Sequence, residues 1–277
     1  MGNCIYCGKP AGLFRKKHKE CENKFDNGKK QIIDIVYNIA TKGNTIDTLK
    51  NDINNICKES FIDEKQRNTF IRIGWENAVE SAFDDGILTE QEEENLLNIL
   101  TTFLLNQDDV DVNGYYTKLV KGSVLREVLS GNIPNKVSND KNSLPFNFQK
   151  NEQIIWLFAD VDYYEQKTKR QYQGGSRGVS VRIAKGVYYR VGAFKGESIN
   201  ITETVHTDTG LMAITNKHIY FSGSQKSFRV NFNKIVSFQP YDDGIGIQKD
   251  GVTAKPQIFK TGDGWFTYNL ISNISQL

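Results

Sequence analysis

Four residues near the start of the chain have the types and spacing that hold a metal ion. Cys4 and Cys7 are separated by two residues and followed by Gly8, and His18 and Cys21 come ten residues later, again two residues apart. A C-x2-C pair on a tight turn presents two sulfurs to one point, and a His and a Cys three apart add a nitrogen and a third sulfur. This donor set suits Zn2+. With all four ligands supplied by protein, no position is left for substrate or reactive water, so the expected role is structural. Cys57 stands apart in an apolar helical pattern. Three thiols and a His gathered this closely fit a metal site better than disulfides, which favours a reducing, cytoplasmic compartment.

The elements that must position these ligands are short. His18 and Cys21 share one face of a first helical turn, and the helix is expected to run on through Lys29. A knuckle followed by a pair at a helix start resembles a treble-clef or zinc-ribbon module. About twenty residues bury too little apolar surface to fold alone, so bound zinc is expected to supply the folding energy. Lys9, Arg15, Lys16, Lys17 and Lys19 surround the ligands. Such a rim suits nucleic acid or an acidic surface, and it equally suits a solvated face.

Other groups that could do chemistry are scarce. His206 and His218 fall in strand-like stretches with no nucleophile elbow beside them, and no H-E-x-x-H or Walker loop occurs. Gly174-Gly-Ser-Arg-Gly178 lacks the Gly-Lys-Ser/Thr ending and reads as a hairpin tip. Asp109, Asp111, Asn113 and Gly114 imitate positions 1, 3, 5 and 6 of a calcium loop, but Val120 stands where a bidentate Glu is required, so a polar interhelix turn is expected. The Met-Gly start lacks the Ser or Thr of a myristoylation signal, having Tyr6 there. The chain is therefore expected not to be an enzyme.

The 277 residues allow two or three units. The net charge of +2 is segregated: residues 1–30 carry eight Lys/Arg against three Asp/Glu, residues 31–135 nine against eighteen, and residues 136–277 eighteen against twelve. The expected divisions are a zinc knuckle (1–27), a helical domain (28–135), a linker (136–152) and a β-rich domain (153–277). In the helical part, Ile32, Ile33, Ile35, Val36 and Ile39 recur at helical spacing and Gly43 ends the helix. Thr89 and Glu92 form a capping-box pattern. The turn Asp85-Gly-Ile-Leu-Thr89 resembles short helical hairpins of the SHOCT type. The linker is rich in Asn, Ser, Lys and Pro.

From residue 153 the period changes. Short runs rich in Val, Ile, Tyr and Phe, divided by Gly, Asp and Asn, predict strands near 153–163, 178–184, 187–193, 199–206, 209–215, 218–222, 227–231, 234–239, 244–249 and 256–260. The end is a helix, with Trp265, Tyr268, Leu270, Ile271 and Ile274 as its apolar face. Gly210–Gly223 and Phe228–Phe238 resemble two successive strand pairs of GRAM and bacterial pleckstrin-homology-like domains. That resemblance implies a seven-stranded bent β-barrel capped by a C-terminal helix, and a function in recognising lipid headgroups or, often, proteins. The predicted fold class is thus α+β and multidomain.

A three-residue loop Ala184-Lys-Gly186 would pair Ile183 with Val187, Arg182 with Tyr188, Val181 with Tyr189 and Ser180 with Arg190. Arg182, Tyr188 and Arg190 would then share an outer face flanked by Lys185 and Arg177, a surface for an anion or a partner or simply for solvent. Together these features predict a zinc-containing adaptor, cytoplasmic or membrane-peripheral, that recognises a protein or an anionic membrane surface. The alternative is a nucleic-acid-binding protein using Arg15, Lys16 and Lys17, as in a stress or phage-defence system.

Overall fold

A computed structural model describes residues 2–12, 14–43, 48–84, 86, 88–134, 143–184 and 187–277, and within 168–202 the backbone alone. The chain divides into two compact units, Met1–Asn132 and Ile133–Leu277. Among the described residues there are seven α-helices and one sheet of seven strands.

In the first unit the Cys/His loops lead into α1 (Lys19–Lys42), followed by α2 (Leu49–Glu59), α3 (Glu64–Ser81), α4 (Glu90–Phe103), the single turn α5 (Gln107–Val110) and α6 (Tyr115–Leu129). α1 runs unbroken across residues 27 and 28, because the periodicity beginning at Ile32 continues a helix already under way. Gly43 ends it: a left-handed backbone, φ 66°, lets its N–H reach the Ile39 carbonyl at 3.0 Å. Ile71, Trp75 and Val79 of α3 form the core with Ile32 and Val36 of α1, Leu49 and Ile53 of α2, and Leu96 and Ile99 of α4. Buried Trp75 is satisfied by donating Nε1–H to the Leu96 carbonyl at 3.0 Å. α1 and α3 approach closely at Gly74, where a Cβ would stand 2.6 Å from the Ile33 carbonyl.

Thr89 caps α4 reciprocally with Glu92, as its spacing implies. The side chains of the calcium-like turn are engaged in three separate tasks. Asp109 caps α5 together with Asn106. Asp111 accepts from the Thr117 N–H at 2.9 Å and hydroxyl at 2.6 Å. Asn113 donates to Glu76 at 3.1 Å.

The second unit is an antiparallel sheet of β1 (Ile154–Ala184), β2 (Val187–Thr215), β3 (His218–Gly223), β4 (Ser227–Asn231), β5 (Ile235–Tyr241), β6 (Gly244–Lys249) and β7 (Gln257–Lys260), closed by helix α7 (Gly264–Ile274). The hydrogen-bonded order is β4-β3-β2-β1-β7-β6-β5. β4 and β5 are the two edges, so the sheet is open where a barrel is expected, and Phe228–Phe238 forms two consecutive strands that do not pair with each other. Yet only a 3₁₀ turn, Phe232–Lys234, separates them. Four residues reach at most ~14 Å, whereas a flat seven-stranded sheet holds its edges ~29 Å apart. The sheet must therefore curl until its edges approach.

β1 and β2 are far longer than expected, 31 and 29 residues. They absorb the predicted strands 153–163 and 178–184, and 187–193, 199–206 and 209–215. The Gly174–Gly178 stretch, expected as a hairpin tip, lies within β1, where Gly174 pairs with Gly196 and Gly178 with Gly192. At the hairpin end, Arg182 pairs with Tyr188, Val181 with Tyr189 and Ser180 with Arg190, as expected. Ala184, not Ile183, pairs with Val187, and a register shift between Arg182 and Ala184 absorbs the difference.

The core of this unit is aromatic: Tyr163 packs on Phe221, Phe228 and Phe259 at 4.9–5.2 Å. Phe266 of α7 packs on Trp156 at 4.9 Å and on Phe158 at 5.9 Å. Phe266, Leu270, Ile271 and Ile274 are buried, while Trp265, expected on the apolar face, is 64% exposed. The Asp263 side chain caps the Phe266 N–H at 3.0 Å, and Phe266 takes the buried place in the first turn.

Candidate metal centre

The backbone folds the first loops before any ligand is considered. Cys4 N–H donates to the Lys9 carbonyl at 2.8 Å, and Gly8 N–H donates to the Cys4 carbonyl at 2.9 Å. Gly8 takes φ 72°, which the tight turn requires. Ile5 N–H donates to the Lys16 carbonyl at 3.0 Å and joins this knuckle to the segment entering α1. His18 is the N-cap of α1, and Cys21 lies in its first turn. Tyr6 anchors the loops to the helices by packing on Phe25 at 5.1 Å and Phe61 at 6.4 Å.

One donor atom from each of Cys4, Cys7, His18 and Cys21 lies within 4.8 Å of all the others. These four residues lie close enough to bind a metal ion. Nδ1 of His18 is 3.4 Å from the Cys7 sulfur and 3.7 Å from the Cys21 sulfur. Its other nitrogen, Nε2, is 2.9 Å from the Pro10 carbonyl, which can only accept. Nε2 therefore carries the hydrogen and Nδ1 offers its lone pair to the sulfurs, the outer-shell arrangement found at metal-ligating histidines.

The thiols differ in how firmly they hold their protons. Burial pushes the Cys4 thiol up, but N–H groups of Cys7, His18 and Tyr6 outweigh it and bring the group down to about 6. Burial and the neighbouring Cys7 and Cys4 sulfurs push Cys21 up to about 11. The Pro10 carbonyl, then the Cys7 sulfur, raise His18. The cluster holds protons unevenly because backbone N–H groups favour the Cys4 thiolate while burial and neighbouring sulfurs keep the proton on Cys21.

The basic rim is less uniform than its sequence implies. Arg15 and Lys16 are exposed, whereas Lys17 is taken by an ion pair with Glu22. The side chains of Arg177, Arg182, Lys185, Tyr188 and Arg190 lie outside the described residues, so no surface can be drawn from them.

Sequence reasoning missed a second polar cluster, in the other unit. Glu152, at the end of the expected linker, is buried. Its carboxylate accepts from Tyr220 hydroxyl at 2.6 Å, from Gln149 N–H at 2.7 Å and from His218 Nδ1. Asn231 lies 3.2 Å from His218 Nε2 and donates to it, so His218 keeps its hydrogen for Glu152. Phe146 and Phe148 pack on Tyr220 at 5.6 and 5.0 Å, which fastens the preceding segment as well. His206, by contrast, is half-exposed beside Asp162 and Thr209. The side-chain partners His218 and Tyr220 lie 66 and 68 residues from Glu152 along the chain, so no local pattern announces them.

No helix among the described residues is long and apolar enough to cross a membrane. Set against known proteins, the chain matches no protein-family model, and no curated protein is significantly similar to it.

Proposed function

We propose that the chain is a non-enzymatic adaptor in which a structural zinc ion folds the N-terminal loops and a pleckstrin-homology-like domain recognises a protein partner. Zinc is supported by distance as well as by donor type. Tetrahedral bonds of ~2.3 Å to sulfur and ~2.05 Å to nitrogen place those ligands ~3.6 Å apart, and the observed Nδ1–sulfur separations of 3.4 and 3.7 Å straddle that value. Thiolates and an imidazole, with no oxygen donor, suit zinc over magnesium or calcium. Four protein ligands make the site closed and structural.

The observation that carries the second half is the strand order β4-β3-β2-β1-β7-β6-β5 followed by one helix. Two antiparallel meanders, β1–β4 and β5–β7, joined along β1 and β7 and followed by one amphipathic helix, support the strand count and the C-terminal helix, though not the closure, that the resemblance of Gly210–Gly223 and Phe228–Phe238 implies. A protein partner is favoured by edge strand β5. Ile235–Tyr241 contains no charged residue, and it exposes Val236 and Tyr241 (63% and 42%). Uncharged, exposed edges invite a partner strand, and Pro240, which lacks an N–H, confines such pairing to the stretch before it. The remaining histidines are engaged in hydrogen bonds, His218 inside the fold and His206 at its surface.

Affinity capture with intact protein, comparing wild type with Val236→Lys and Phe238→Lys, tests this reading. A defined partner held by wild type and lost by both variants is expected. Equal capture by all three overturns the β5 assignment. Metal analysis tests the other half, and freshly purified protein without zinc overturns it.

A further inference from the structure

We infer that the tip of the Cys/His loops is itself a contact for an anionic membrane surface. Ile5 is 68% exposed and Phe14 99% exposed. The hydrogen bond from Ile5 N–H to the Lys16 carbonyl joins Ile5 to the segment that carries Phe14, Arg15 and Lys16. Phe14 adopts φ 62°, a left-handed backbone that costs an aromatic residue energy, and its ring gains almost no packing in return. Arg15 and Lys16 are exposed and have no ion-pair partner among the described residues. Exposed apolar side chains flanked by free cations match the edge of a lipid leaflet: the apolar groups enter the headgroup–acyl boundary while the cations meet lipid phosphates. Single-stranded nucleic acid would use the same cations but stacks its bases on flat rings. Phe14 is one such ring, but Ile5 offers none and Tyr6 is turned inward onto Phe25 and Phe61, so successive bases find no second platform and the membrane is the better match. Nothing in this inference depends on the C-terminal domain.

The test is sedimentation of the full chain with phosphatidylcholine vesicles, with and without phosphatidylserine. Wild type is expected to bind only the anionic vesicles. Arg15→Glu/Lys16→Glu should weaken binding at least ~25-fold, at about fivefold per lost cation. Ile5→Ser/Phe14→Ser, with charge unchanged, should weaken it by about tenfold or more. Arg15→Lys/Lys16→Arg should bind as wild type. Wild-type metal content in every variant shows that the loops remain folded. As a second readout, Phe14→Trp should blue-shift its emission on adding anionic vesicles. Wild-type binding by Ile5→Ser/Phe14→Ser, an unshifted Phe14→Trp, or Phe14-dependent binding to single-stranded oligonucleotide without vesicle binding would each overturn the inference. Failure of these assays leaves the β5 reading standing, and failure of the β5 variants leaves this one standing.

Discussion

The Cys4–Cys7–His18–Cys21 cluster and the Glu152–His218–Tyr220 cluster each gather polar groups into a small volume, one in each unit. In the first, three sulfurs and Nδ1 of His18 aim lone pairs at one point. In the second, the carboxylate meets a hydroxyl, a ring nitrogen and a backbone N–H, so its acceptors are matched by donors. The first cluster is close enough to hold a cation, which on the proposed reading completes it, whereas the second is satisfied by protein donors. The balance of donors against acceptors thus separates a binding site from a strut, even though both are polar and well defined.

The largest effect expected from breaking this contrast is at the metal. Cys7→Ser should take zinc from about one ion per chain to near zero. The basic segment around Arg15 to Lys19 should then become sensitive to trypsin, while unfolding of the C-terminal unit stays unchanged. Persistence of protease-resistant loops in metal-free protein would show that the cluster completes itself after all. Acidification should act in the same direction. Cys21, pushed up to about 11, and His18, also raised, hold their protons more firmly than ordinary groups. Protons therefore compete harder for the ligands as pH falls, and zinc affinity measured with a competing chelator should fall with it.

Glu152 should come second. Glu152→Ala leaves Tyr220, His218 and the Gln149 N–H without their shared acceptor inside the fold, a loss of ~2–4 kcal/mol readable in urea unfolding of the C-terminal unit. Zinc content should not change. Burial pushes the Glu152 carboxyl up, but Tyr220, His218 and Gln149 outweigh it and hold the group below its usual range. Its contribution is therefore present above the ordinary carboxylate pKa and lost as pH falls through the depressed folded value. The gap between wild type and Glu152→Gln should narrow on acidification, and a gap that widens would show that the carboxylate is not the stabilising form.

The contrast also explains which features the sequence displays. The metal ligands, the Thr89–Glu92 cap and the Gly43 stop are local, with every partner within a few turns of chain. Glu152 meets residues more than sixty positions away, and in sequence it sits in a polar, aperiodic stretch that reads as linker. The long β1–β2 ladder is hidden for a related reason. Its pairing is made by backbone groups, and Lys167–Gly178 carries no apolar alternation to signal it. The α7 face is legible from its apolar pattern at Leu270, Ile271 and Ile274, and departs from it only in the first turn, where Phe266 is buried and Trp265 exposed. The open sheet edges follow from a chain reversal at Phe232–Lys234 that places consecutive strands at opposite ends of the hydrogen-bonded order.

The smallest effect expected tests the local side of the contrast. Thr89 Oγ1 accepts from the Glu92 N–H at 3.2 Å, and Glu92 Oε2 accepts from the Thr89 N–H at 2.9 Å. These bonds satisfy groups at the start of α4 that would otherwise turn to water, because the site is exposed and the core behind it, Leu96, Ile99 and Leu100, is untouched. Thr89→Ala should therefore lower the stability of the N-terminal unit by only ~1 kcal/mol. Thr89→Ser should retain most of that stability, and the metal content of both should match wild type. If Thr89→Ala costs as much as Glu152→Ala, exposure to water does not reduce the cost of a broken polar contact here. The distinction between a cap at the surface and a buried strut would then fail on its own terms.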